Sequence, residues 1–244
     1  MRRIIILVLL VSISLFSFNK KKIDSYFKKQ IFIKGGCYFV GGGNEFDNKE
    51  LKKMYFKSFY IDIHPVTNKQ YLVFLNKSGY TPVNKLEKSY LEQNPYLPVT
   101  NISYFDAISY CKYYGLELPT EWEWEIVAKS LKKDIIYINK HLPNKKRGNF
   151  LLSKIYKVVP ILTFPPNDLG VFGMAGNVYE WTRSDYPKKY LKGNYYEKFK
   201  LKVLRGGAWT DLSYQVTTTL RVPFPASRSL PWLGFRTIKY VNSK

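Results

Sequence analysis

The feature that most constrains the fold is the glycine-rich run over residues 168–181, Asp-Leu-Gly-Val-Phe-Gly-Met-Ala-Gly-Asn-Val-Tyr-Glu-Trp. Three glycines within seven positions favour tight turns and close backbone approach over a regular helix. Carbonyl groups in such a segment can point towards a common partner, and calcium is one candidate. Gly176 and Val178 could offer carbonyls, and Glu180 a carboxylate, on one side of the chain. The alternative is a turn that enters a strand, with Glu180 bonded to backbone amides.

The end of this run, Gly173-Met-Ala-Gly-Asn-Val-Tyr-Glu-Trp181, resembles the Gly-Asn-Val-Trp-Glu-Trp signature of the formylglycine-generating enzyme (sulfatase-modifying factor) superfamily. Other stretches resemble further motifs of that family and occur in the same order. They read Phe59-Tyr-Ile-Asp-Ile-His-Pro-Val-Thr-Asn-Lys-Gln-Tyr71, Leu118-Pro-Thr-Glu-Trp-Glu-Trp-Glu125, Leu204-Arg-Gly-Gly-Ala-Trp209 and Gly234-Phe-Arg236. The resemblance covers roughly residues 32–239.

The resemblance implies an irregular α+β fold of the formylglycine-generating enzyme type, related to C-type lectins, with short helices on small antiparallel sheets. A chain of 244 residues with 45% hydrophobic residues suits one large domain. We place this domain at residues 31–244. It follows a signal peptide or N-terminal anchor at residues 1–19 and a basic linker at residues 20–30.

The N-terminus has the charged start and the short apolar run of a secretory signal, with two arginines followed by residues 4–16. The apolar run is shorter than the ~20 residues that a membrane-spanning helix needs. Three lysines at 20–22 make a poor cleavage site, so an uncleaved membrane tether stays open as an alternative. We therefore predict an exported protein, either periplasmic or at the cell surface.

Export makes Cys37 and Cys111 candidates for a disulfide, although two separate buried thiols are the alternative. The sequence has no short Cys-x-x-Cys spacing, and its only histidines are His64 and His141, so it does not support a cysteine-based metal site. His64 precedes a proline at the end of a strand pattern and is interpreted as structural.

The formal net charge is +21, from 39 Lys and Arg against 18 Asp and Glu. Such a charge is typical of chains that bind nucleic acid, anionic lipid or an acidic polymer. Lysines that outnumber arginines, together with abundant Tyr, Phe, Ile and Asn, are typical of an A/T-rich genome, and this composition is the preferred explanation of much of the charge. Because export is predicted, we expect a peptide, a glycan or an envelope protein as the partner and no nucleic acid.

Local patterns predict several strands. Residues 31–33 and 37–40 flank Gly35-Gly36 as a candidate hairpin, and residues 54–63 suggest one further strand. Residues 97–102 suggest a short buried strand after a loop-like segment at 77–96.

Three helix starts carry capping signals. Thr67 is a candidate N-cap, Ser103 has Asp106 three residues on, and Thr120 has Glu123 in a Thr-x-x-Glu capping box. Glu123 is therefore interpreted as a capping residue and not as a catalytic acid. Gly115 is the expected stop of the second helix.

The resemblance implies a specific chemistry in family members that oxidise a sulfatase cysteine to formylglycine, where two cysteines shortly after Arg-Gly-Gly hold copper. Here those positions correspond to Asp211 and Val216. Cu(I) requires soft donors such as paired thiolates, which an aspartate and a valine cannot replace. We therefore assign no catalytic residue.

The remaining candidates form a binding site. Tyr179, Trp209, Asp211 and Arg221 are the candidate pocket residues, whereas Arg205 and Arg236 are expected to be buried and paired. The first calcium site of the family opens with Asp or Asn, which corresponds here to Gly173. A second one would use Asn149 and Phe150, but its later ligands are not recognisable in the sequence.

Taken together, the sequence predicts an exported, non-catalytic binding or scaffold component of the cell envelope. The alternative is a formylglycine-generating-type oxidase, or a related maturation enzyme, that acts on a protein substrate.

Overall fold

A computed structural model describes residues 29–43, 50–133, 135, 137, 144–187 and 199–241. The predicted signal or anchor and most of the basic linker lie outside these residues. No helix in the described ranges is both long enough and apolar enough to cross a membrane.

The described residues form short strands in three small sheets, with four short helices. The strands are β1 (Gln30–Ile33), β2 (Gly36–Val40), β3 (Lys52–Phe56), β4 (Phe59–Asp62), β5 (Tyr179–Asp185), β6 (Leu201–Arg205), β7 (Val222–Pro225), β8 (Leu233–Phe235) and β9 (Ile238–Tyr240). The sheet orders are β1-β4-β9, β2-β3 and β7-β6-β5-β8, and all pairs are antiparallel except β5 with β8. The α+β class predicted from the sequence is confirmed.

The predicted hairpin around Gly35-Gly36 is wrong. β1 pairs with β4 and β2 pairs with β3, so the two halves of the expected hairpin belong to different sheets. The predicted strand at 54–63 is likewise two strands, separated by Lys57 and Ser58. Burial explains why β1 pairs with β4 and not with β2. This pairing places Ile33 opposite Phe59 in the core, where both side chains are almost fully buried.

The helices are α1 (Asn68–Ser78), α2 (Lys88–Gln93), α3 (Tyr104–Tyr114) and α4 (Glu121–Ala128). Full capping boxes begin α1, α3 and α4, which confirms the predicted N-caps Thr67, Ser103 and Thr120. Gly115 ends α3 in the left-handed conformation, as expected. Each of these signals is local, which is why the sequence shows it.

Two local predictions fail. Helix α2 lies in the segment predicted as a loop; it has no side-chain N-cap bond and buries only Leu91, so it carries little sequence signal. Residues 97–102 do not form a strand, and Pro98 makes only an isolated bridge with Thr67. Proline lacks the N–H that a continuing strand ladder needs.

Two clusters of buried residues form the core. The first joins α1 and α3 to β5 and β8 and includes Tyr71, Tyr110, Trp181 and Phe235. The second joins the β1-β4-β9 sheet to α4 and includes Phe59 and Trp124, with Ile33 and Ile61. The glycine-rich run contributes to both clusters, since Val171 and Met174 belong to the second and Tyr179 to the first.

The two cysteines are both free. Cys111 is buried in the first cluster, and burial raises the pKa of its thiol. Cys37 lies on β2 and is exposed. The disulfide alternative is therefore wrong, and of the two separate thiols only Cys111 is buried.

Candidate functional site

The glycine-rich run crosses two other segments at Gly176. Its backbone N–H donates to the Gly206 carbonyl at 2.8 Å, and it forms a parallel bridge with Asn149. Its φ is +71°, and a Cβ atom here would lie 2.2 Å from the Asn149 carbonyl oxygen. Only glycine permits this approach, so the crossing holds three segments together.

Asn177 ties the same crossing to a fourth segment. Its N–H donates to the Asn149 carbonyl at 2.7 Å, and its amide side chain exchanges two hydrogen bonds with the Val159 backbone, at 2.9 and 3.0 Å. Its own carbonyl accepts from the Trp209 N–H at 3.3 Å. The signature asparagine therefore has a structural role, in which it fixes the loop that carries Trp209.

Glu180 forms a buried ion pair with Arg236. Arg236 Nε and Nη2 donate to the two carboxylate oxygens at 2.6 and 2.7 Å, and Trp124 Nε1 donates at 2.9 Å. Arg236 Nη2 also donates to the Phe172 carbonyl at 2.8 Å and lies beside Gly173. The expected structural role of Arg236 is confirmed.

These contacts bear directly on the predicted calcium ligands Gly176, Val178 and Glu180. Calcium takes six to eight oxygen ligands, but the Glu180 carboxylate is committed to Arg236 and the Gly176 carbonyl accepts from the Val178 N–H at 2.9 Å. The Arg236 guanidinium supplies the positive charge beside Glu180 that a calcium ion would otherwise supply. The residues present do not fit calcium, and Glu180 bonds to side chains instead of the backbone amides proposed as the alternative.

The second family calcium site also fits poorly. The Asn149 side-chain oxygen is buried without a hydrogen-bond partner, but the Phe150 carbonyl accepts from Ser153 N at 2.8 Å. Within the described residues, no group of three or more His, Cys, Asp or Glu side chains could hold a metal ion. One unpaired amide oxygen falls far short of a calcium ligand set.

Arg205 is fully buried and structural, as expected. It pairs with Glu125, which also binds Lys129 at 2.7 Å, and its guanidinium donates to carbonyls of residues 218–220. Lys129 and Glu125 in turn hold the backbone of Gly41. This buried charge cluster therefore links α4, β6 and the segment after β2.

Three of the four predicted pocket residues lie together. The Asp211 carboxylate accepts from the Ala208 N–H at 2.8 Å and is hydrogen-bonded to the Tyr179 hydroxyl. Trp209 is half-buried on the same turn, and its indole N–H is buried without a hydrogen-bond partner in the described residues. Burial raises the pKa of Asp211 even though its hydrogen bonds with Tyr179, Ala208 and Thr210 act to lower it.

The fourth predicted residue has a different set of partners. Arg221 binds Glu121 at the start of α4, and its guanidinium lies 5.4 Å from the centre of the Trp122 ring and 5.5 Å from that of Tyr186. The structure therefore assigns Arg221 to an ion pair flanked by aromatic rings, and the pocket predicted from the sequence divides into two places.

The two positions that correspond to the family's copper cysteines adjoin each other. Val216 Cγ2 lies 3.1 Å, and Asp211 Oδ2 3.4 Å, from the position that a Cβ on Gly207 would take. Val216 is buried, and Asp211 caps the turn at Ala208. Cys111 is buried in the first core cluster and Cys37 is exposed on β2, so they do not form a thiolate pair that replaces the missing one.

The sequence did not reveal an apolar surface beside Trp209. The Leu151 N–H donates to the Asp211 carbonyl at 2.8 Å and joins two surface segments, which carry apolar side chains that are 37–59% exposed. We define the Trp209 surface as Trp209 with Leu152, Tyr156, Leu212 and Tyr214. Isolated apolar residues in loops give no periodic signal, which explains why the sequence did not predict it.

Known proteins that are similar in sequence or in fold identify the family of this chain. The family model described as sulfatase-modifying factor enzyme 1-like domain matches residues 16–241. The inactive C-alpha-formylglycine-generating enzyme 2 of Bos taurus is 27% identical over 244 residues, which is 76% of this chain and 78% of that protein. PvdO from Pseudomonas aeruginosa has a similar fold, with a TM-score of 0.72 at 21% identity, over 87% of this chain and 94% of that one.

The serine/threonine-protein kinase Pkn1 of Chlamydia trachomatis is 31% identical over 209 residues, or 75% of this chain. The chain spans about a third of the length of that kinase, 34%. The fold, the ordered motifs and the family model agree: the chain belongs to the sulfatase-modifying factor enzyme 1-like domain family.

Proposed function

We propose that this domain is an exported, non-catalytic binding component of the cell envelope, and that it binds an extended segment of a partner protein. The observation that carries the proposal is the pair Asp211 and Val216. Both side chains are built into the fold where the resemblance places copper-binding thiolates, and neither can supply a soft donor.

The Trp209 surface supports a peptide over a sugar as the ligand. Leu152 and Leu212 offer exposed aliphatic contacts, which suit apolar side chains. Within the described residues the indole N–H of Trp209 is buried without a hydrogen-bond partner, and such a group costs roughly 1–3 kcal/mol.

The relatives are compatible with this proposal. The name of one of them describes an inactive formylglycine-generating enzyme, and that protein is similar over most of both chains. The alternative, an oxidase or another maturation enzyme acting on a protein substrate, requires a metal-binding or catalytic group elsewhere in the chain.

A metal-binding and turnover measurement tests the non-catalytic part. Purified full chain would be titrated with Cu(I), and oxygen consumption would be followed with a cysteine-containing sulfatase peptide. We expect no stoichiometric copper and no oxygen uptake above the rate without protein. One equivalent of bound copper together with peptide-dependent oxygen uptake would show that the oxidase alternative is correct.

A displayed library of random linear peptides tests the binding part. Peptides enriched on the wild-type chain should lose binding to Trp209→Ser and to Leu212→Ser, which remove an aromatic and an aliphatic contact of the Trp209 surface. Tyr90→Ser is the matched control, because Tyr90 is an exposed aromatic residue on α2 and is not part of the Trp209 surface. Enriched peptides that bind all three variants equally would rule out the Trp209 surface as the site.

A further inference from the structure

The β1-β4-β9 sheet has one buried face and one exposed face. In register across the three strands, Ile31, Ile61 and Ile238 lie on the inner face, next to Ile33 and Phe59. The alternate row on the outer face consists of Phe32, Tyr60 and Lys239. All three residues of this row are exposed.

The outer row carries two adjacent, exposed aromatic rings. Phe32 is 51% and Tyr60 41% exposed, and their ring centres are 5.4 Å apart. Val241, which donates its N–H to the Ser58 carbonyl at the same end of the sheet, is 44% exposed. We call Phe32, Tyr60, Lys239 and Val241 the outer sheet face. Adjacent exposed apolar groups of this kind mark interaction surfaces.

The charge around this face is positive. Lys34, Lys57 and Lys239 are all exposed; Lys239 pairs in register with Tyr60, Lys34 lies two residues after Phe32, and Lys57 lies three residues before Tyr60. The acidic residue of the same strands, Asp62, is half-buried, and its carboxylate accepts from Gln30 Nε2 at 2.8 Å and from Thr237. The aromatic pair therefore has exposed lysines close to it in sequence or in register.

The sequence before β1 points to the partner. The apolar run at residues 4–16 and the basic linker at residues 20–30 lead directly into this strand. A chain that keeps the apolar run would hold the β1-β4-β9 sheet within a short distance of a bilayer. Aromatic side chains favour the headgroup level, and lysines favour anionic lipid headgroups.

We propose that the outer sheet face docks on the headgroup region of an anionic phospholipid bilayer, with Phe32 and Tyr60 inserted at the interface and Lys34, Lys57 and Lys239 bound to lipid phosphates. The two contributions act together, because the rings require an apolar boundary and the lysines require negative charge. An acidic polysaccharide would also meet the lysines, and its binding is an outcome of the test below. The proposal does not depend on the Trp209 surface.

The test uses the full chain in phospholipid vesicles and a fluorophore at a chosen cysteine. In a Cys37→Ser background, Tyr60→Cys places the label on the outer sheet face and Tyr90→Cys places it on α2. Cys111 is buried with a raised thiol pKa and should stay unlabelled. Headgroup-nitroxide lipid should quench the label at position 60 in phosphatidylglycerol-containing vesicles but not in pure phosphatidylcholine, and should leave position 90 unquenched in both.

Two variants of equal net charge separate the effect of the lysines near the outer sheet face from the effect of net charge alone. Lys34→Gln, Lys57→Gln and Lys239→Gln combined should shift the docking equilibrium roughly 100-fold, or about fivefold for each lysine near the surface. Lys77→Gln, Lys88→Gln and Lys112→Gln combined remove the same charge from exposed helical positions and should change it less than about threefold. Thermal midpoints of both triple variants check that each is folded.

Two outcomes would overturn the proposal. One is equal quenching at positions 60 and 90, which would show that the vesicle does not face this sheet. The other is displacement by a soluble acidic polysaccharide with no loss of its binding in Phe32→Ser/Tyr60→Ser, which would show that the lysines bind a polymer and the rings take no part. Either result leaves the peptide-binding proposal intact, because that proposal is measured on the Trp209 variants.

Discussion

Arg236 and Glu180 meet in a two-point ion pair inside the domain, with Nε 2.6 Å from Oε2 and Nη2 2.7 Å from Oε1, and neither side chain is exposed. The pair connects β5 to the residue that follows β8, and Trp124 of α4 donates to the same carboxylate. It therefore joins a sheet of the first core cluster to a helix of the second.

Arg236→Met should strongly destabilise the fold, because it leaves the buried Glu180 carboxylate unpaired. Breaking one side of a buried pair costs about 3–5 kcal/mol, and we expect a fall of roughly 10 °C in the thermal midpoint. Arg228→Met is the matched control, since Arg228 is exposed, and it should stay within about 0.5 kcal/mol of wild type. A small effect of Arg236→Met would contradict the structural role of the pair.

Adding calcium should leave the unfolding midpoint of the wild-type chain unchanged. The Glu180 carboxylate and the Gly176 carbonyl already have partners, so few oxygen ligands remain. The measurement is a thermal melt in calcium and in chelator at equal ionic strength. A midpoint that rises with calcium concentration would restore the predicted site, because a ligand that binds only the folded state must stabilise it.

Stability should depend on the ionisation of Asp211. Its pKa is raised in the folded state, chiefly by burial, so folding favours the protonated carboxyl. This contribution is fully present below the ordinary aspartate pKa and is lost as the pH rises through the raised folded value. Asp211→Asn keeps an acceptor for the Ala208 N–H and cannot ionise, so the free energy of unfolding of this variant should fall less than that of wild type over that pH range. Parallel pH profiles for the two chains would contradict the assignment.

The double substitution Asp211→Cys/Val216→Cys should create a Cu(I) site. Both native side chains lie within 3.4 Å of one point beside Gly207, so two thiolates placed there can reach a single ion. Copper titration in a Cys37→Ser/Cys111→Ala background should give one equivalent for the double variant and much weaker binding for Val216→Cys alone. If the folded double variant bound no copper, the correspondence between these two positions and the family's cysteines would be incorrect.

Features that a few neighbouring residues decide could be predicted from the sequence. The N-caps at Thr67, Ser103 and Thr120 each depend on a partner three residues away, and all three are present in the structure. The ordered motifs identified the family and the α+β class. The expected burial of Arg205 and Arg236 is also confirmed, since arginines within such motifs must be paired.

Features decided by distant partners could not be predicted. β1 pairs with β4 because of burial opposite Phe59, although a hairpin with β2 was the shorter connection. Arg221 was predicted to lie with Asp211, but its partner Glu121 is 100 residues earlier in the chain. Glu180 was predicted to bind calcium or backbone amides, yet its partner Arg236 is 56 residues later. Spacing in the sequence carries no information about such pairs.

The crossing at Gly176 affects how members of the family can be identified from their sequences. A methyl group at that position would collide with the Asn149 carbonyl oxygen, so the glycine of Gly-Asn-Val is required by steric fit and not by any reaction. A search that finds Gly-Asn-Val followed by Glu-Trp thus selects an architecture. The capacity of a member to bind copper has to be judged farther along the chain. The deciding positions are those of Asp211 and Val216, which adjoin Gly207.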